Sequence, residues 1–219
     1  MVEVSRRELI AAGSIVAGGF SLGPASALGA EQELHLDLTR SLDGWEIVTG
    51  SWQIEDVADA AQGGRALVQR ATTNAFNVIV APGGPYRDVD VSVRFKPISG
   101  REDASGGIVF RFADGHYYVV RANALEDNFN FYYYDPNSFL ASVLGGRHYV
   151  TGISVKAPAL GKWHQLRISA VGDHVQGWLD DQRLIDHRDS RYGSGRIGLW
   201  TKADSITAFD ILVVRVMDK

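Results

Sequence analysis

Asp88-Val89-Asp90-Val91-Ser92-Val93-Arg94-Phe95-Lys96 places an apolar residue at every odd position and a polar one at every even position. Side chains on a strand alternate between its two faces, so this stretch reads as a strand with one face in a core and one in water. Gly107-Ile108-Val109-Phe110-Arg111-Phe112 is a second β-branched and aromatic run. Asp114-Gly115 follows it as a hairpin signal, and His116–Arg121 reads as the returning strand. Phe129–Tyr134 is a third, closed by Asp135-Pro136-Asn137. Further candidates are Trp163–Val171, His174–Leu179, Gln182–Asp186, Arg196–Trp200 and Ile206–Val216, the first three separated by Gly172-Asp173 and Asp180-Asp181. Arg101-Glu102-Asp103-Ala104-Ser105 reads as an exposed loop. No segment after Ala30 sustains a helical stripe over three turns. Short strands spaced by Gly, Asn and Asp predict an all-β fold, a two-sheet antiparallel sandwich of about twelve to fourteen strands.

Composition narrows the function classes. The chain has 219 residues, 45% of them apolar, which suffices for one domain with a sizeable core. Its net charge of −4 argues against a nucleic-acid partner held through phosphates. The lack of cysteine excludes disulfides, thiolate metal sites and cysteine nucleophiles. The first residues have a targeting layout. Ser5-Arg6-Arg7-Glu8-Leu9 precedes an apolar run to Leu22, and Pro24-Ala25-Ser26-Ala27 supplies a small-x-small site. The paired arginines resemble a twin-arginine export signal, so residues 1–27 are expected to be removed and residues 28–219 to form one exported domain, periplasmic or extracellular. The apolar run falls short of the ~20 residues that span a bilayer, so no membrane span is expected after cleavage. A packed N-terminal helix or an uncleaved anchor is the alternative.

Several pieces together resemble the concanavalin A-like jelly-roll domains, in their laminin-G-like and 3-keto-disaccharide hydrolase-type branch. They are Gly106-Gly107-Ile108-Val109-Phe110-Arg111, Tyr117–Asn123, Lys162-Trp163-His164-Gln165-Leu166-Arg167, Gly195–Ser205 and Phe209-Asp210. The resemblance covers Leu36 to Val214 and implies two curved antiparallel sheets, often with a saccharide on the concave side. Its members include lectin-like modules and hydrolases, so fold alone does not choose between them. Laminarinase-type relatives carry a Glu-x-Asp-x-x-Glu arrangement, whereas this chain offers Glu126-Asp127-Asn128. Adjacent strand residues face opposite ways, so Glu126 and Asp127 cannot flank one glycosidic bond.

Strand parity then sorts the candidate site. If three consecutive strands align, Arg111, Arg121, Asn123, Asn128 and Tyr132 share a face, with Tyr117 and Glu126 beside them. Guanidinium and amide groups suit vicinal hydroxyls, and flat rings suit the C–H face of a pyranose. The competing reading pairs both arginines with acids such as Glu126 and uses the tyrosines as packing. A single bulge would also break the shared face. Trp200-Thr201-Lys202-Ala203-Asp204 is expected to form a rim loop, with Trp200 stacking on a sugar and Lys202 and Asp204 bonding hydroxyls or acting as acid and base; a core tryptophan beside a surface ion pair is the alternative. Asp135 and Asn137 are expected to cap a turn. The six histidines show no zinc-site spacing. Asp210 could give one ligand to a structural calcium, but one carboxylate is far from the set calcium needs, so no cofactor is expected.

The expected partner is a saccharide or glycan, with oligomeric state open. Three functions fit: a lectin-like binding module; a glycoside-acting enzyme of the 3-keto-disaccharide hydrolase type, with Glu126, Asp204 or a tyrosine as acid or base; and a protein-interaction sandwich.

Overall fold

The computed structural model describes residues 32–73, 75–138 and 145–217. Fifteen strands occur among them. In chain order they are β1 Gln32–Leu36, β2 Glu46–Thr49, β3 Trp52–Asp56, β4 Arg65–Gln69, β5 Phe76–Val80, β6 Val89–Ser99, β7 Ser105–Ala113 and β8 His116–Asn123. There follow β9 Glu126–Tyr134, β10 Arg147–Ser154, β11 His164–Val171, β12 His174–Leu179, β13 Gln182–Arg188, β14 Arg196–Lys202 and β15 Ile206–Val216. The expected targeting segment, residues 1–27, lies outside the described residues.

Two antiparallel sheets form a sandwich, which is the expected all-β class. One runs β13-β12-β11-β6-β15-β4-β3 with β1 added on β15, and the other runs β10-β9-β8-β7-β14-β5-β2. The alternation in β6 does what its pattern dictates: Val89, Val91, Val93 and Phe95 enter the shared core at 1% exposure or less. On its outer face Asp90 takes a bidentate grip from Arg167 on β11, with an Nη2–Oδ2 distance of 2.7 Å. From the second sheet, Ile108 and Phe110 of β7, Tyr118 and Val120 of β8, and Phe129 and Phe131 of β9 meet that core. The hairpin signals are real. Asp114 and Gly115 have φ of 49° and 80°, and Asp180 and Asp181 have φ of 47° and 66°, the left-handed pairs that tight hairpins require.

Two expectations need correction. The stretch 101–105 is exposed only at its start. Arg101 and Glu102 are exposed, but Asp103, Ala104 and Ser105 are fully buried and Ser105 opens β7. Trp200 and Lys202 are not in a rim loop either, because β14 continues through Lys202.

Candidate functional site

The core-averted face of the seven-stranded sheet carries a second apolar cluster, separate from the main core. Val78, Val109, Tyr117, Val119, Tyr132 and Trp200 belong to it, with Phe76 and Tyr134 packed against it. Strand alternation explains the membership: Tyr117 and Val119 of β8 point away from the sandwich as Tyr118 and Val120 point in. The rings form a continuous wall. Tyr117 stacks on Tyr134 at 4.8 Å, Phe76 stacks on Trp200 at 5.7 Å, and Phe76 meets Tyr134 edge-on at 5.9 Å. A groove of about 640 Å³ lies over this wall, bordered by Phe76, Tyr117, Tyr134, Arg147 and Lys202. That volume falls in the range of small-molecule sites.

A polar ladder runs beside the wall on β9, where every second residue shares one face. Glu126 Oε2 accepts from Asn128 Nδ2 at 3.0 Å, and Asn128 Oδ1 accepts from Asn130 Nδ2 at 3.0 Å. Asn130 Nδ2 also donates to the Tyr132 hydroxyl at 2.9 Å. Arg121, opposite Asn130 on β8, donates from Nη2 to Glu126 Oε2 at 2.9 Å and to the Tyr132 hydroxyl at 3.3 Å. Gly107 makes room for it: a Cβ there would stand 3.1 Å from the Arg121 Cβ. Burial opposes the Glu126 carboxylate, but bonds from Asn128 and Arg121 outweigh it and hold the carboxyl below its ordinary value. Burial also opposes the Arg121 charge, and Tyr132, Asp103 and Glu126 reverse that and move its pKa up. Burial, helped by the neighbouring Tyr134 hydroxyl, drives the Tyr117 phenol upward.

Arg111 stands elsewhere, and this corrects the expected shared face. The β7–β8 register shifts between Phe110 and Ala113, and Arg111 sits in that bulge with φ 54°. The bulge sends Phe112 to the outer cluster and Arg111 away from it. Arg111 is 2% exposed and ties three chain segments, donating from Nη1 to Tyr192 O at 2.7 Å and from Nη2 to Arg87 O at 3.2 Å and Gly172 O at 2.6 Å.

Three further residues have structural duties. Asn123 Oδ1 accepts the N–H groups of Ala104 and Leu125 at 3.1 and 3.0 Å, so it closes the β8–β9 turn. Asp204 accepts the N–H groups of Arg101, Glu102 and Asp103 at 2.8, 3.0 and 3.1 Å, which fixes the loop before β7. Trp200 is fully buried and stacked on Phe76, so it supports the aromatic wall from beneath and does not stack at the rim. The structure thus gathers Tyr117, Arg121, Glu126, Asn128, Tyr132 and Lys202 on the outer face of the seven-stranded sheet, with Trp200 below them, and separates Arg111, Asn123 and Asp204 from that face.

Glu126 and Asp127 part company as adjacent strand residues must, since Asp127 Oδ1 accepts from Ala157 N at 3.0 Å. Asp135 Oδ1 accepts from Asn137 N at 2.9 Å, the expected turn cap. Asp210 has its charge answered by Arg94 Nε at 3.4 Å and by the Ala61 N–H at 2.8 Å. No set of three His, Asp or Glu among the described residues could hold a metal ion.

Sequence reading missed Phe76, Arg147 and Asp103. Arg147 follows Gly145-Gly146 and precedes His148-Tyr149, a charged and aromatic alternation after a turn that could have marked a strand. Its guanidinium lies 4.4 Å from the Tyr132 ring centre and 5.2 Å from that of Phe76. Asp103 is reached by Ser205 Oγ at 3.0 Å, and burial pushes its carboxyl up.

Comparison with known proteins is consistent with this geometry. Residues 37–214 match the family model described as a 3-keto-alpha-glucoside-1,2-lyase-like domain. The chain belongs to that family. A stretch of 162 residues, 73% of the chain, is 26% identical to a levanase of Bacillus subtilis (strain 168), and covers 21% of that protein. The chain thus spans about a fifth of the curated relative it matches. Among solved structures, carbohydrate binding module CBM66 from Bacillus subtilis superposes with a TM-score of 0.64 at 20% identity, covering 82% of this chain and 97% of the module. A Bacillus licheniformis beta-glucanase superposes with a TM-score of 0.55 at 12% identity, covering 84% and 97%. The chain therefore has the two-sheet jelly-roll sandwich that the resemblance implied.

Proposed function

We propose that this chain binds saccharides, without cleaving them, in the groove on the outer face of the seven-stranded sheet. One observation carries the reading: the groove is walled by aromatic rings and edged by cationic groups, and no carboxylate or imidazole is among the described residues that line it. Rings offer the C–H faces of a sugar a flat apolar partner, while Arg121, Asn128 and Asn130 beside them offer planar hydrogen-bonding groups. A glycoside-cleaving site needs an acid or base at the bond to be broken. Glu126 is held ionised by Arg121, and Asp103 is fully buried. The relatives support the ligand class. The levanase and the carbohydrate binding module are proteins of saccharide chemistry, and the module is a binding unit by its own description.

Export is part of the proposal. The arginine pair and the Ala25-Ser26-Ala27 site support a mature chain starting at Leu28, in the periplasm or outside the cell. Among the described residues no helix is long and apolar enough to cross a membrane.

Isothermal titration of the purified protein against a saccharide panel tests the binding claim. At least one saccharide binds, and Phe76→Ala and Tyr134→Ala each weaken it by about tenfold to hundredfold while the far-ultraviolet spectrum stays that of a β-sandwich. A folded protein that binds no saccharide, or binds one unaffected by either substitution, overturns the reading.

A further inference from the structure

We propose that the saccharide taken by this groove carries a carboxylate, and that Arg147 and Lys202 hold it. The inference rests on the saccharide-binding reading above and narrows its ligand class to glycans containing uronic acid.

Arg147 is the first reason. It lines the groove, yet no carboxylate among the described residues forms an ion pair with it. Its surroundings are rings: Tyr132 at 4.4 Å, Phe76 at 5.2 Å and Trp200 at 5.9 Å from the guanidinium carbon. Its Nη1 is buried without a hydrogen-bond partner. Ring faces supply attraction for a cation but accept none of its five N–H bonds in plane, so the planar fork is left with donors to fill.

Lys202 is the second. It borders the same groove, and its ion-pair partner, Asp103 Oδ2, stands off at 3.8 Å, while Asp103 Oδ1 is bonded by Ser205 Oγ at 3.0 Å. Charge count is the third. Arg121, Arg147 and Lys202 stand against two carboxyls, Asp103 and Glu126, and Glu126 is already committed to Arg121 at 2.9 Å. The site therefore carries an excess of positive charge in a chain whose overall charge is −4.

A uronic acid answers this arrangement in shape as well as charge. Its carboxylate projects from the edge of the sugar ring. A pyranose lying on Phe76 and Tyr134 thereby presents that group sideways, toward the flanking cations. A carboxylate is planar, and a guanidinium engages it through two parallel N–H bonds. A neutral sugar would leave Arg147 without an anionic partner, and Lys202 with only the distant Asp103, in a site partly shut off from water.

Calorimetric titration of the purified protein tests this with galacturonic-acid and glucuronic-acid oligosaccharides, their methyl esters, the neutral parent sugars and sulfated counterparts. The expected result is that a uronate binds about tenfold to hundredfold more tightly than its own methyl ester, as one or two charge-assisted bonds would give. That margin shrinks as salt rises from 20 to about 500 mM. Arg147→Met brings the acid down to the affinity of the ester, Arg147→Lys keeps part of the margin, and Lys202→Met removes part of it. Esters or neutral sugars that bind as tightly as the acids, or sulfated sugars that bind more tightly, overturn the carboxylate assignment and leave saccharide binding standing. A folded protein that binds no member of the panel overturns both.

Discussion

Arg111 and Arg121 are both almost fully buried, and their partners give them different work. Arg111 reaches three backbone carbonyls from three segments, Arg87, Gly172 and Tyr192, and so pins one end of the sandwich. Its replacement by leucine strips those acceptors of a charged donor. The expected cost is about 2–4 kcal/mol of folding stability, read by denaturant unfolding, with saccharide affinity of the folded protein unchanged. An equal loss of affinity in fully folded Arg111→Leu protein would put Arg111 back in the binding site. Arg121 instead orders the polar ladder on the outer face of the seven-stranded sheet through Glu126 and Tyr132. The Glu126 carboxyl has its folded pKa below the ordinary 4.5. Its contribution is thus complete above pH 4.5 and disappears as pH falls through the lowered value. Affinity for a neutral saccharide is therefore expected to stay level from pH 7 to about 5 and to drop below 4.5. In Glu126→Gln the drop is absent and affinity starts lower. A binding curve that falls between pH 7 and 5 would point to another group.

Packing between elements sets the next scale. Gly106 on β7 lies against Phe95 on β6 across the core, where a Cβ would stand 2.5 Å from the phenylalanine ring. The two sheets approach closely here, and Gly106→Val is expected to cost at least about 1–3 kcal/mol by overpacking. An unchanged melting temperature would mean that the sheets do not press together at this point. Much of this level was legible in the sequence. β6 showed itself because its residues alternate cleanly, β15 because it is a long run rich in β-branched residues, and the hairpins at Asp114-Gly115 and Asp180-Asp181 because only certain residues take left-handed backbone comfortably. β1 to β5 and β10 went unread: each is short or mixed in pattern, as in β2 with four exposed residues and β10 with half-buried and exposed positions intermixed. The site was half legible for the same reason. Parity gathered Tyr117, Arg121 and Tyr132 because β8 and β9 keep register from Tyr117 to Ala122, and Asn128 because side chains alternate along β9 beyond the shift at Ala122–Asn123. It misplaced Arg111 because one bulge at Phe110–Ala113 resets parity, and nothing in Phe110-Arg111-Phe112 announces a bulge. Phe76 and Arg147 come from strands distant in sequence, and only the sheet order β10-β9-β8-β7-β14-β5 brings them to one groove.

At the scale of the whole molecule, both sheets are built from antiparallel pairs whose inner faces fill one core, and the outer face of one sheet keeps a second apolar cluster. That surplus of rings, not needed to hold the sheets together, is what sets the groove apart from the rest of the surface. The export proposal belongs here too. Arg6→Lys with Arg7→Lys is expected to leave the protein in the cytoplasm, while the unaltered chain is recovered outside it with Leu28 as its first residue by intact mass. Recovery of the unaltered chain in the cytoplasm with residues 1–27 attached would contradict that part of the account. The central claim is the placement of a saccharide on the aromatic wall, and a crystal soaked in a bound saccharide tests it most directly. The account predicts sugar density packed on Phe76 and Tyr134 and within hydrogen-bond reach of Arg147. Density seated on the eight-stranded sheet, with the groove over Tyr117 and Trp200 holding only water, would contradict it.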